Sequence, residues 1–153
     1  MQLKVTKVPT SEPEILEIRC HRIGDEVREI ISFIKSRQGV LNGKKDGNET
    51  EIAVWDICYI ESVDNRTYIY TVDDCYEVGR RIYELEEMLS KSTFLRVQKG
   101  MILNLMKISS IKPGLSGRYV ALLKNNEEII ISRKYVPEFK QKLKGGAGHE
   151  VEK

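Results

Sequence analysis

The sequence predicts an α+β fold: mostly antiparallel β-sheets with short flanking helices, preceded by a small strand-and-helix N-terminal extension. Three observations lead there. Short apolar–polar alternations follow one another through tight Gly-, Asn- and Asp-containing links. Helical spacing is confined to one N-terminal stretch, one central stretch and the basic C-terminal end. The length of 153 residues suits one compact domain with a modest extension.

In chain order, residues 2–8 (Leu3, Val5) and 14–19 (Ile15, Leu16, Ile18) read as short strands separated by Pro9 and Pro13. Asp25 is placed to cap a helix over 24–37, whose Val27, Ile30, Ile31 and Ile34 recur at helical spacing. Residues 39–42 and 50–54 flank a Gly-, Asp- and Asn-rich stretch and form a hairpin, with Lys44-Lys45 expected at a solvated tip. A second strand pair, 56–63 and 66–72, turns at Asp64-Asn65, and Asp73-Asp74 leads into a strand at 75–78. A helix follows at 80–90, with Ile82, Leu85, Met88 and Leu89 on one stripe. Strands are expected near 94–97, 102–104 and 107–112, then at 119–123 and 128–131 across a two-residue Asn125-Asn126 turn. A last helix runs over 133–143, capped by Ser132, and the Gly-rich end from 145 reads as a flexible tail.

Charge is distributed unevenly. Residues 91–144 carry 12 basic against 3 acidic side chains, whereas residues 1–90 carry 12 against 18. A local net of +9 beside a local net of −6 is the footprint expected of a surface that meets polyanionic phosphate. Cys20, Cys58 and Cys75 are odd in number and widely spaced, with His21 and His149 as the only histidines. That argues against a zinc site or a disulfide framework and for three reduced, partly buried thiols. No phosphate-binding Gly loop, dinucleotide turn, metalloprotease helix or nucleophile elbow occurs, and Asp73-Asp74 and Glu86-Glu87 are adjacent pairs that diverge or face solvent. An enzyme is therefore not expected, nor a cofactor or metal. The apolar runs are too short to span a bilayer and the N-terminus has no secretory signal pattern, so a cytoplasmic location is expected.

Four landmarks in order carry a family resemblance: Ile57-Cys58-Tyr59-Ile60-Glu61-Ser62, then Tyr83-Glu84-Leu85-Glu86-Glu87-Met88-Leu89, then Phe94-Leu95-Arg96-Val97 running into Ile102-Leu103-Asn104 and Ile108, and finally Ile131-Ser132-Arg133-Lys134-Tyr135-Val136. Over about 90 residues this resembles the LytTR DNA-binding domain of bacterial response regulators. The resemblance divides the chain into an extension at 1–52 with a regulatory or dimer-forming role, a LytTR-type domain at 53–144 and a tail at 145–153. Residues 1–52 are too short for the receiver domain that the family often attaches. The chain thus resembles the compact type of regulator, often found alongside a small membrane protein. Where the family pattern has a histidine after Phe-x-Arg-x, this chain has Gln98, which bears on the base sequence preferred.

The resemblance implies that loops at one edge of the sheets read double-stranded DNA, with two copies on paired direct repeats at a promoter. Carried over to this chain, the loops are Asn65, Arg66 and Thr67 after Asp64; Gln98, Lys99 and Gly100; and Arg133 and Lys134 after Ser132. Arg and Lys donate to guanine, Asn and Gln pair with adenine, and the backbone at Ser132 offers amides to phosphate. Plainer readings stand beside these. Arg66 has Asp64 as a candidate partner and Arg133 has Glu138; Lys107, Lys112, Arg118 and Lys124 read as solvated strand faces. Asn104 reads as a turn former, and Tyr59, Tyr68, Tyr70, Tyr119 and Tyr135 as sheet packing rather than stacking platforms for single strands. Two other function classes remain: a protein-interaction module for a membrane or signalling partner, and an RNA-binding β domain with exposed aromatics.

Overall fold

The computed structural model describes residues 1–90 and 93–144. The expected tail at 145–153 lies outside the described residues. Ten strands and three α-helices are found among the described residues, joined by short connections and single 3-10 turns.

The expected strands at 2–8 and 14–19 do not form. Both segments are exposed, apart from a half-buried Ile18, and without ladder partners, because no sheet edge of the same chain comes alongside to take up their N–H and C=O groups. Helix α1 spans Asp25–Ser36, and Gly24 rather than Asp25 is the capping residue. Asp25 and Glu26 instead sit in the first turn and Lys35 in the last, each favourable to the helix dipole. The Lys35 ammonium stands 5.7 Å from the centre of the Trp55 ring.

Strands β1 (Val40–Lys45) and β2 (Asn48–Ala53) join through Asp46-Gly47, both at positive φ. Lys44 and Lys45 therefore lie within β1 rather than at a loop tip, and Lys45 is bonded to Asp74 across the sheet. Strands β3 (Tyr59–Val63) and β4 (Arg66–Tyr70) turn through Asp64 and Asn65 at φ 51° and 65°, a left-handed pair that Asp and Asn tolerate well. Strand β5 (Cys75–Val78) and helix α2 (Ile82–Met88) follow; the Glu84 carboxylate closes the start of α2 by accepting from the Arg81 N–H at 3.1 Å.

Next come β6 (Phe94–Gln98), β7 (Met101–Asn104), β8 (Ile108–Pro113), β9 (Tyr119–Leu123), β10 (Glu128–Ile131) and α3 (Val136–Lys144). The β9–β10 connection has four residues, not two: the Asn125 side chain accepts from the Glu127 N–H at 3.1 Å, and Asn126 takes φ 72°. The last helix also starts later than expected. Arg133–Tyr135 form a 3-10 turn, and Ser132 makes no side-chain cap bond. Pro137 has no N–H to bond the carbonyl four residues back, so an α-helical ladder cannot begin at Arg133.

The strands form a seven-stranded antiparallel sheet, ordered β2-β1-β5-β4-β3-β7-β6, and a three-stranded one, ordered β10-β9-β8. Alternation along the central strands serves two cores. Ile60, Ile69 and Ile102 face one way, onto Leu85 and Leu89 at helix α2; Tyr59, Leu95 and Leu103 face the other, onto the small sheet and Phe139 of α3. Burial of Phe139 alone contributes about 1.5–3 kcal/mol. Of the three free thiols only Cys58 is buried; Cys20 and Cys75 are exposed, contrary to expectation.

Candidate nucleic-acid interface

Strand β3 pairs antiparallel with both β4 and β7, so the β3–β4 turn and the β6–β7 turn emerge at the same end of the large sheet. The Ser62 N–H donates to the Gly100 carbonyl at 2.8 Å and locks the two turns side by side. A Cβ at Gly100 would stand 3.1 Å from the Ser62 carbonyl oxygen, so the close approach favours glycine. With strands about 4.8 Å apart, the centres of these two hairpin tips lie about 10 Å from each other.

The third loop is fastened to the same end. The Ser132 N–H donates to the Val97 carbonyl at 2.9 Å, and the Gln98 side-chain amide donates to the Ile130 carbonyl at 2.7 Å. Arg133 and Lys134 then project as exposed side chains from the 3-10 turn. Together with Ser116, Arg118 and Ser132 they line an open cleft of about 510 Å³. Gly117, at φ 77°, lies beneath Arg133: a Cβ there would meet the Arg133 Cδ at 2.9 Å.

Most of the residues singled out from the sequence thus come together on one rim. Asn65, Arg66, Lys99, Arg133 and Lys134 are exposed, while Gln98 and Gly100 are half-buried. Thr67 is the exception: at 3% exposure its side chain points into the protein, beside Ile69 on the same face of β4. Arg66 pairs loosely with Glu77 at 3.9 Å rather than with Asp64, and both partners are exposed enough that the pair contributes little.

Two positioning roles were not read from the sequence. Arg96 turns its guanidinium back under the β6–β7 turn, donating to the carbonyls of Gln98 (3.2 Å) and Lys99 (3.0 Å), and pairs with Glu86 at 2.8 Å. The 115–118 loop contributes Arg118 to the cleft, although the sequence placed Arg118 only on a strand face. The one available signal was Gly114 just before that loop and Gly117 within it.

Asn104 is a turn former, as the sequence suggests. Its buried side chain accepts from the Met106 N–H (3.1 Å) and the Thr93 hydroxyl (2.7 Å) and donates to the Ile57 carbonyl (2.8 Å). Tyr59, Tyr70 and Tyr119 also have internal partners. Tyr59 and Tyr70 stack at 4.5 Å; Tyr59 donates to Glu127 at 2.8 Å and Tyr119 lies 4.6 Å beneath the Lys140 ammonium. Burial, then the Glu127 hydrogen bond, raises the Tyr59 phenol well above its ordinary range; burial, with Cys75 and Glu61 nearby, takes Tyr70 to about 12.

Comparison with known proteins agrees with this fold. The family model described as the LytTr DNA-binding domain matches residues 49–144. The chain is 32% identical over 102 residues to the transcriptional regulatory protein YpdB of Escherichia coli O6:H1, covering 66% of this chain and 42% of that protein. It is 33% identical over 86 residues to the sensory transduction protein LytT of Enterococcus faecalis, covering 56% of this chain and 36% of that one. The matched region thus spans about two-fifths of each relative's length. A solved LytTr DNA-binding domain from Bacillus cereus shares the fold at a TM-score of 0.65 and 23% identity, over 68% of this chain and 95% of that domain. With the family model matching well over half of its residues, this chain belongs to the LytTr DNA-binding domain family.

Proposed function

We propose that the rim binds double-stranded DNA with sequence preference and that the protein is a bacterial transcription regulator. One observation carries the reading: three connections rich in Arg, Lys, Asn and Gln are tied side by side by two main-chain hydrogen bonds and the Gln98 side-chain amide, two of the three lying in the basic part of the chain. Two hairpin tips about 10 Å apart follow one another along a major groove rather than across its width of about 12 Å. Asn65, Arg66 and Lys99 then meet one groove while Arg133 reaches the next; Lys134 and Arg118 hold the phosphates between them. Gln98 and Gly100 shape the central tip, and Thr67 supports the first from within. Two copies occupy one promoter.

The test is a fluorescence-anisotropy titration on a footprinted promoter fragment across a salt series. Arg133→Ala is expected to weaken specific binding by about 1–3 kcal/mol, the worth of one base contact. Lys99→Ala is expected to flatten the log–log salt slope by about 0.9, one released phosphate counterion. Equal affinity and equal slope for wild type and both variants would refute the assignment. Loss of all sequence preference at moderate salt in the wild type would favour the reading as a protein-interaction module.

A further inference from the structure

Strand β2 is the outermost strand of the large sheet. Its hairpin with β1 closes on two turn residues, so Lys45 and Asn48 form the hydrogen-bonded pair beside the turn and the pattern alternates from there. Asn48, Thr50 and Ile52 direct their N–H and C=O groups toward β1, and those of Glu49, Glu51 and Ala53 point off the sheet. Among the described residues no backbone hydrogen bond reaches that side. The side chains divide the same way: Ile52 is buried and Thr50 half-buried on the core face, while Glu49 and Glu51 are exposed on the other.

The N-terminal segment has the complementary character. It alternates apolar and polar residues through Leu3, Lys4, Val5 and Thr6, yet Leu3 is 92% and Val5 86% exposed, with no sheet to lie on. Its charged residues, Lys4 and Lys7, are basic where β2 is acidic.

We propose that residues 2–7 of one copy add to the free edge of β2 in a second copy as an antiparallel strand. In one register the four central positions match, with Lys7 beside the exposed strand end at Asn48. Leu3 lies opposite Ile52 and Val5 opposite Thr50 on the core face, extending the apolar layer; Lys4 lies opposite Glu51 and Thr6 opposite Glu49 on the outer face. Slipping the arm by one residue puts Lys4 on the apolar side and loses the match. The arm does not lie on its own edge in the folded chain, so each copy offers one free arm and one free edge. Reciprocal exchange satisfies both and closes as a two-fold dimer. This gives the association of two copies a physical contact, and it is tested without DNA.

Sedimentation equilibrium of the full chain over a concentration series reads the outcome. The wild type is expected to dimerise, and deletion of residues 2–8 to leave a monomer with an unchanged circular-dichroism spectrum. Glu51→Lys is expected to raise the dimer Kd by at least about fivefold, and Lys4→Glu combined with it to restore most of the loss. A wild type that stays monomeric, or a deletion that leaves the Kd unchanged, overturns the proposal. So does a Glu51→Lys variant with wild-type Kd, since the charges on that edge then serve only to repel other strands. Hydrogen-exchange protection of the Glu49, Glu51 and Ala53 amides in a monomeric wild type overturns it as well, because the arm then docks on its own edge.

Discussion

Replacing Arg96 by Met keeps the aliphatic stem that packs along β6 but removes the guanidinium beneath the β6–β7 turn. That group is only 16% exposed and donates to two turn carbonyls, so each bond is a charge-assisted one in a partly desolvated place. Bonds of this kind contribute about 1.5–3 kcal/mol in favourable settings, and the Glu86 pair adds at most about 1 kcal/mol because Glu86 is 44% exposed. Since the two carbonyls regain water in the variant, the net loss of stability is expected at about 2–3 kcal/mol, read from urea melts. The effect on DNA is separate. Gln98 and Gly100 keep their bonds to Ile130 and Ser62, but Lys99 loses its brace and must be ordered on binding, which weakens affinity by about 1–2 kcal/mol, the cost of fixing one backbone residue. The salt slope is expected to stay at the wild-type value, because the guanidinium faces carbonyls rather than phosphate. A slope reduced by about 0.9, as expected for Lys99→Ala, would refute the bracing role and make Arg96 a phosphate contact.

Other perturbations follow from the same geometry. Asn104→Ala strands the Ile57 carbonyl in a buried place and the Met106 N–H and Thr93 hydroxyl in partly buried ones, and a stability loss of about 2–3 kcal/mol in chemical denaturation is expected. Gly117→Ala forces an L side chain to positive φ and pushes a methyl against Arg133; about 1 kcal/mol of stability is lost, and specific DNA affinity falls with it in the same anisotropy assay. The fold prefers the neutral Tyr59 phenol, whose value is raised from 10.0 by burial and Glu127. Its contribution is therefore complete below pH 10 and declines as pH rises beyond it. Urea melts between pH 8 and 11 should show that alkaline loss reduced in Tyr59→Phe relative to wild type.

Much of the fold was legible because turn chemistry and side-chain parity agree. Asp46-Gly47 and Asp64-Asn65 supply the left-handed conformations a two-residue hairpin needs, and the apolar alternations around them fix which face is buried. The burial of Thr67 was legible too: it stands two residues from Ile69, hence on the same face of β4. Its neighbours Asn65 and Arg66 belong to the turn and the strand's first position, where parity no longer holds them inward. The N-terminal arm misled for the opposite reason. Alternation at Leu3 and Val5 reports a capacity to form a strand, and only the surroundings decide whether an edge is present to receive it. Arg96 was opaque because its partners are main-chain carbonyls of the following turn, which leave no mark in side-chain spacing.

The bonds from Ser132 to Val97 and from Gln98 to Ile130 bridge the large and small sheets just behind the rim. On the proposed reading, the interval between the 98–100 and 132–134 loops is a ruler set chiefly by the main-chain bond from Ser132 to Val97. An operator with one extra base pair between the positions those loops touch presents them about 3.4 Å further apart. The protein can meet that spacing only by unlatching its two sheets or by bending the duplex.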